Sequence, residues 1–241
     1  MVLLPILIAL LALAPADTLE TSAHADAPNP PTLTITTGTA ETLSVTGVAG
    51  GSSDTRMPGG NAILWGLHLD ESGDKPCDLE LFWWRQDTSS RTQGLFKTTF
   101  RLCGDKTSSN GFVGVGYSND YVVWGSNGVP TGNPHVLAPS VFLAAHGARA
   151  CLNRRGDRIK GVRLFGSTVN QDDAGEVRRD PGLKRDFERT NCNTWKTIRK
   201  CDDGDVMVGV DIHHSDGEIH GLAPKCASVT VRTVMSASSN G

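Results

Sequence analysis

The stretch Met207-Val208-Gly209-Val210-Asp211-Ile212 reads apolar, any residue, glycine, apolar, any residue, apolar. The same pattern recurs at residues 64–69, 112–117 and 159–164, so that the central glycines lie 48, 47 and 48 residues apart. A near-constant period in this range is typical of folds built from repeated structural units. A glycine within a strand lets a neighbouring backbone approach closely or accommodates a bulge. The pattern therefore predicts a repetitive β architecture in which the glycines have a mechanical role.

Short stretches of alternating polar and apolar side chains run through the chain, as at residues 32–37 and 42–48. This period of two is the signal of half-buried strands. The charged stretch 172–189 is interrupted by Pro181-Gly182, and we expect a solvated loop there. Further strands are predicted at residues 62–69, 79–84, 96–102, 112–117, 121–124, 141–145, 159–165, 206–214 and 227–234. The sequence thus predicts an all-β fold.

The N-terminal region carries a continuous apolar run at residues 3–14. Its length is that of a signal-peptide core and is too short to span a bilayer. We therefore expect a signal peptide at residues 1–25 and a secreted, extracellular protein without a membrane span. A Pro/Thr-rich leader with the first strands (26–57), a repeat domain (58–234) and a flexible C-terminal tail (235–241) follow. The net charge of −3 provides no global field to gather nucleic acid.

All the cysteines lie downstream of the predicted cleavage region, at Cys77, Cys103, Cys151, Cys192, Cys201 and Cys226. An even number of cysteines in an exported chain favours disulfides, which would consume the thiol that a nucleophilic cysteine needs. Six cysteines allow 15 connectivities, and sequence alone does not choose among them. Pairing of neighbours along the chain, 77 with 103, 151 with 192 and 201 with 226, is our prediction.

A longer pattern surrounds the last glycine motif. Trp195 precedes the run Cys201-Asp202-Asp203-Gly204, which leads into residues 209–212 and then into residues 219–226. This segment resembles the repeat of the vitelline membrane outer layer protein I family, and residues 157–165 are similar to the second half of that repeat. The resemblance implies a β-prism of three Greek-key sheets with pseudo-threefold symmetry, related in architecture to jacalin-type lectins. Four evenly spaced copies also fit a small β-propeller, whose blades are typically about 40 to 50 residues long.

Asp216-Gly217 lies between two β-rich stretches and is a strong signal for a two-residue hairpin, because both central positions need positive φ. If Ser215 faces Glu218, then His213 faces His220 on the same side of the ribbon. The full set on that side comprises Asp211, His213, Glu218 and His220. Such side chains can form a divalent metal site or an acid/base pair. The alternative is a polar, solvent-facing strand surface, so they are candidate ligand-binding residues, and no metal or other cofactor is predicted.

Two further features are candidates for glycan recognition. Trp83 and Trp84 are adjacent in a predicted strand, so they face opposite sides, and one indole could be exposed as a stacking platform for sugars. Burial of both is the alternative. Arg154, Arg155, Arg158, Lys160 and Arg163 form a basic cluster that could bind anionic glycans. Acidic residues interspersed among these and later cations argue instead for an ordinary mixed surface.

Catalytic signatures are absent from the sequence: there is no Gly-x-Ser-x-Gly elbow, His-Glu-x-x-His helix or phosphate-cradling glycine loop. The resemblance implies a lectin-like module that binds glycans or extracellular polymer, or a coat or matrix component. The alternative is a glycan-active enzyme, a glycoside hydrolase or transglycosylase, that uses surface carboxylates such as Asp211 or Glu218. Such an enzyme requires two carboxyl groups about 5 to 9.5 Å apart.

Overall fold

The computed structural model describes residues 32–86, 93–104, 108–114, 123–124, 130–131, 136–138, 141–171, 177–188 and 191–234, and all regular structure within these ranges is β-strand. No part of the described chain forms a helix that could span a bilayer. The strands are β1 (Thr32–Thr37), β2 (Glu41–Thr42), β3 (Thr46–Gly47), β4 (Ser52–Arg56), β5 (Ile63–Ser72), β6 (Lys75–Gln86), β7 (Gln93–Arg101), β8 (Ser108–Gly114), β9 (Val123–Trp124), β10 (Pro130–Thr131), β11 (Val136–Ala138), β12 (Val141–Leu152), β13 (Ile159–Gln171), β14 (Val177–Glu188), β15 (Thr194–Trp195), β16 (Arg199–Lys200), β17 (Asp205–Ser215) and β18 (Glu218–Val234).

Three antiparallel sheets make up most of the described chain, each built around one long hairpin. The first sheet has the order β7-β6-β5-β8 around the hairpin β5–β6, the second has β11-β12-β13-β14 around β12–β13, and the third has β1-β18-β17-β4 around β17–β18. In the first sheet the fourth strand returns beside the first, which is the Greek-key order; the second sheet follows chain order. This arrangement confirms the all-β, three-sheet prism rather than a propeller of four blades.

The hydrophobic core lies between the three sheets. One cluster of buried side chains takes Leu67 and Trp83 from the first sheet, Val162 from the second and Ile212 from the third. Alternate residues on some of the same strands form a second cluster, which includes Trp84. Because both faces of these strands are covered, apolar residues outnumber polar ones along them.

Each sheet carries one disulfide. Cys77–Cys103 joins the start of β6 to the end of β7, Cys151–Cys192 joins β12 to the segment before β15, and Cys201–Cys226 joins the segment before β17 to β18. The predicted pairing of neighbouring cysteines is confirmed, and all six cysteines are used. A disulfide of this kind typically contributes about 2 to 4 kcal/mol to folding.

The repeated glycines do not mark equivalent positions. Gly66 in β5 and Gly114 in β8 are cross-strand partners within the first sheet, whereas Gly161 and Gly209 lie in the second and third sheets. The mechanical role holds at Gly209, where a Cβ atom would lie 3.0 Å from the Lys225 side chain and 3.2 Å from the Arg56 carbonyl oxygen. The even spacing therefore reflects three hairpins plus one edge strand.

Two strand predictions were wrong. Much of the stretch 172–189 is not a loop, because Val177–Glu188 forms β14 and pairs with β13 along its whole length. Pro181 is accommodated because β14 lies at the edge of its sheet and the register shifts at this point. The single strand predicted at residues 42–48 is divided into β2 and β3, each of which pairs with β18 over two residues.

Candidate functional site

The turns of the three central hairpins meet at one end of the prism. We call these turns, at residues 72–75, 153–158 and 215–218, the turn cluster. The first and third turns are joined by Lys75 Nζ and Glu218 Oε1 at 3.0 Å. Arg158 Nε joins the second turn to Glu218 Oε2 at 2.6 Å. Lys160, just beyond the second turn, reaches Asp74 Oδ1 of the first turn at 2.8 Å. Every turn is therefore held by an ion pair to each of the other two.

Two of the turns are two-residue hairpins with positive φ at both central positions, at Gly73-Asp74 (54° and 68°) and at Asp216-Gly217 (50° and 74°). This pattern defines the type I′ turn, whose twist matches that of the flanking strands. The hairpin predicted at Asp216-Gly217 is confirmed. Gly-Asp between two strand patterns is also a hairpin signal, and it would have located the first turn from sequence.

The second turn is longer and is organised by Asn153. The Asn153 side-chain oxygen accepts hydrogen bonds from the backbone N–H groups of Gly156 at 2.9 Å and Asp157 at 3.2 Å. The Asn153 backbone N–H donates to the carbonyl oxygen of Arg158 at 3.0 Å. Asparagine favours this local bonding because its short side chain reaches the backbone two to four residues ahead.

A buried lysine stabilises the first turn. The Lys160 side chain is fully buried and bonds Glu71 Oε1 at 3.1 Å, together with the carboxylate and the carbonyl oxygen of Asp74. The hydrogen bond from Lys160 holds the pKa of the Asp74 carboxyl below its usual range, and the hydrogen bond from the Asn191 amide adds to this effect while burial opposes it. Asp74 is therefore an anion that shares one buried cation with Glu71.

A surface cavity of about 440 Å³ opens beside the first and second turns. The described residues that line it are polar or charged except for one disulfide cysteine, and they are Asp74, Asn153, Arg154, Arg155, Arg158, Asn191, Cys192 and Asn193. The segment 191–193 is tethered to β12 by the Cys151–Cys192 disulfide and by the bond from the Asn193 N–H to the Leu152 carbonyl oxygen at 2.8 Å. This wall of the cavity is thus held in place by one covalent bond and one hydrogen bond.

The candidate residues on β17 and β18 do not form one site. Ser215 faces Glu218, as predicted, but His213 faces Gly221 because the register shifts and leaves His220 as the extra residue of a β-bulge. The prediction that His213 lies opposite His220 is therefore wrong. A bulge re-aims a side chain, which places His220 near Ser215 rather than His213.

The partners of these side chains also differ. Asp211 binds Thr55 Oγ1 at 2.6 Å and Lys225 Nζ at 3.1 Å, whereas Glu218 binds the two cations of the turn cluster. In the described chain, the one group of three possible metal ligands within 4.8 Å is Cys77, Asp78 and Cys103, and its two sulfurs form a disulfide. Asp211 and Glu218 are therefore separate ion-paired groups.

His220 belongs to the turn cluster. Its Nδ1 lies 2.6 Å from the carbonyl oxygen of Asp157, and its Nε2 lies 2.7 Å from Ser215 Oγ. A carbonyl oxygen only accepts, so Nδ1 carries the proton, and in the neutral imidazole Nε2 accepts from the Ser215 hydroxyl. Glu218 and His220 are thus the two candidate residues that the structure brings to the turn cluster, where both join the second turn to the third.

The tryptophans do not match the predicted stacking platform. Trp83 and Trp84 are 0% and 1% exposed, so no stacking platform forms and the alternative, burial of both, holds. The two side chains do face opposite sides, but each side packs in its own core cluster. Trp195 is half-buried, with the Arg163 guanidinium 4.7 Å from its ring centroid.

Comparisons with known proteins give a fold likeness only. No family model matches the chain, and no curated protein matches it. Among solved structures, Calystegia sepium agglutinin is similar with 10% identity and a TM-score of 0.43 over 78% of this chain and 97% of that chain. Calsepa lectin in complex with biantennary N-glycan has 11% identity and a TM-score of 0.42, over 81% of this chain and 98% of that chain. Its complex with bisected glycan has 9% identity and a TM-score of 0.40, over 78% of this chain and 97% of that chain. The resemblance to the vitelline membrane outer layer protein I family stays a prediction.

Proposed function

We propose that this protein binds glycans in the cavity beside the turn cluster. The observation that supports the proposal is the lining of that cavity, in which amide, guanidinium and carboxylate groups surround an open space of about 440 Å³. Sugar hydroxyls both donate and accept hydrogen bonds, and these side chains supply both kinds of partner. A few convergent polar groups in a concave site are what fix the orientation of a small ligand.

Rigidity of the walls favours binding. The ion pairs of Glu218, the type I′ turns and the Cys151–Cys192 disulfide hold the walls before a ligand arrives. A preformed site loses less conformational entropy on binding than a flexible one. The recognition role therefore belongs to the turn cluster and replaces the exposed tryptophan suggested by the sequence.

We also propose that the protein works outside the cell. Three disulfides form in oxidising compartments and persist there. The apolar run at residues 3–14 supplies an export signal of the expected length. In this setting glycans and extracellular polymers are available ligands.

The test is a glycan array followed by calorimetric titration of a glycan that binds. Asn193→Ala removes an exposed amide from the cavity wall and is expected to weaken binding about tenfold, as for the loss of one well-placed hydrogen bond. Arg85→Gln is the control, because Arg85 is exposed and lies ten residues beyond Lys75 along β6, about 30 Å from the turn cluster. A wild-type protein that binds no glycan, or an Asn193→Ala variant that binds as tightly as wild type, contradicts the proposal.

A further inference from the structure

We propose that the glycan bound in this cavity carries an oxyanion, as a carboxylate or a sulfate group on the sugar. This inference rests on the proposed function, and it names the class of ligand. Some hydrogen-bonding groups of the cavity already have partners within the protein. The groups without such partners are the ones a ligand can use, and they carry the inference.

The asparagines of the cavity present mainly donors. The side-chain oxygen of Asn153 is occupied by two backbone N–H groups, and that of Asn193 accepts from Thr194 Oγ1 at 3.2 Å. Neither side-chain NH₂ group has a partner among the described residues. An amide whose oxygen is occupied offers a ligand two N–H donors. Two of the three asparagines therefore favour a ligand that accepts hydrogen bonds.

The arginines of the cavity also favour a ligand that accepts hydrogen bonds. Arg158 is compensated by Glu218, but Arg154 and Arg155 are exposed and make no hydrogen bond or ion pair within the described chain. Both residues line the cavity, so an anion bound there is attracted by two positive charges. A guanidinium also presents its N–H donors in a planar fork that matches the two oxygens of a carboxylate or sulfate.

The acidic residue of the cavity is partly engaged within the protein. Asp74 Oδ1 accepts hydrogen bonds from both Lys160 and Asn191, so this oxygen is already used within the wall. Of the charged side chains that line the cavity, three are arginines and Asp74 is the one acid among the described residues. The groups that remain for a ligand are therefore mainly cations and N–H donors, with Asp74 Oδ2 and the Asn191 side-chain oxygen as acceptors.

Matched ligands separate this inference from the proposed function. The first pair is trigalacturonate and its fully methyl-esterified form, which share one sugar backbone and differ in the masked carboxylates. The second pair is dextran sulfate and dextran. Binding is measured by calorimetry for wild type, for the Arg154→Gln/Arg155→Gln double variant and for Arg85→Gln. Since Arg154 and Arg155 have no partners within the described chain, the double variant is expected to fold with stability within about 0.5 kcal/mol of wild type.

We expect the wild-type protein to bind at least one acidic member at least tenfold more tightly than its neutral partner, with affinity that falls as salt rises. The double variant is expected to lose about tenfold in affinity for each arginine, as for a charge-assisted hydrogen bond, and Arg85→Gln to bind as wild type does. Equal affinity for acidic and neutral members overturns the oxyanion and leaves glycan binding intact. Equal weakening by Arg85→Gln also overturns it, because the effect would then be one of overall charge. If the wild-type protein binds none of these ligands by calorimetry and no glycan on the array, both the oxyanion inference and the proposed glycan binding are overturned.

Discussion

Replacement of Glu218 by glutamine tests whether the turn cluster is held together by its ion pairs. The Glu218 side chain is 7% exposed and contacts Arg158, which is 26% exposed, and Lys75, which is 50% exposed. Glutamine keeps the size of the side chain and one acceptor oxygen but removes the charge. The contact with half-exposed Lys75 is screened by solvent and is worth about 0 to 1 kcal/mol. The charged hydrogen bond to Arg158 is worth about 1.5 to 3 kcal/mol.

The expected result is a loss of about 2 to 3 kcal/mol in the free energy of unfolding. Urea unfolding at pH 7 measures this loss, with the fluorescence of buried Trp65, Trp83 and Trp84 as the probe. Glu41→Gln is the matched control, since Glu41 is exposed and its side chain makes no hydrogen bond or ion pair in the described chain; it should change the free energy by under about 0.5 kcal/mol.

A double-mutant cycle with Arg158→Gln isolates the pair. Groups joined at 2.6 Å should show a coupling energy of about 1 to 2 kcal/mol. If Glu218→Gln costs no more than Glu41→Gln, or if the coupling energy is zero, the turns are held by something other than Glu218 and this reasoning is refuted.

Two further changes separate core residues from the turn cluster. Trp83→Phe removes the hydrogen bond from Trp83 Nε1 to Thr98 Oγ1 (2.8 Å) and part of a fully buried ring. It should therefore lower the free energy of unfolding by about 1 to 3 kcal/mol and leave glycan affinity unchanged. Altered affinity in the folded variant would contradict the assignment of Trp83 to the core. Asp74→Asn should be destabilising at pH 7, because the lowered pKa of Asp74 contributes stability that is fully present above its ordinary value of 3.8 and is lost as pH falls through the folded-state pKa. Urea unfolding at pH 7 and at pH 3 should therefore show a smaller difference from wild type at the lower pH, and an equal difference at both pH values would contradict this reasoning.

Local chemistry explains which features were predictable from sequence. The alternation in β1 and the Asp216-Gly217 turn depend on neighbouring residues, so the pattern alone predicts them. Neighbour pairing of the cysteines was also correct, with loops of 25 to 41 residues closed by each bond. These features determine the all-β class.

Other features depend on partners that are distant in the chain. The sequence places Lys160 in a basic cluster on the surface, but the structure buries it. Its ammonium group is paired with Glu71 and Asp74, which are 89 and 86 residues away in the chain. The bulge at His220 shifts the register by one residue, and a shift of one residue changes which side chains face each other. The cavity also depends on partners that are distant in the chain, since its walls come from separate turns. The sequence indicated only its arginines.

The third sheet has a consequence for the order in which the protein can fold. Its strands β1 and β4 come from residues 32–56, whereas β17 and β18 come from residues 205–234. The early strands have no partner strands to pair with until β17 and β18 have been synthesised. The first two sheets use partners that lie closer together in the chain, so they can form before synthesis is complete. The last sheet completes the core between the three sheets only after β18 is made, and until then the edges of β1 to β4 remain open to pairing with other chains.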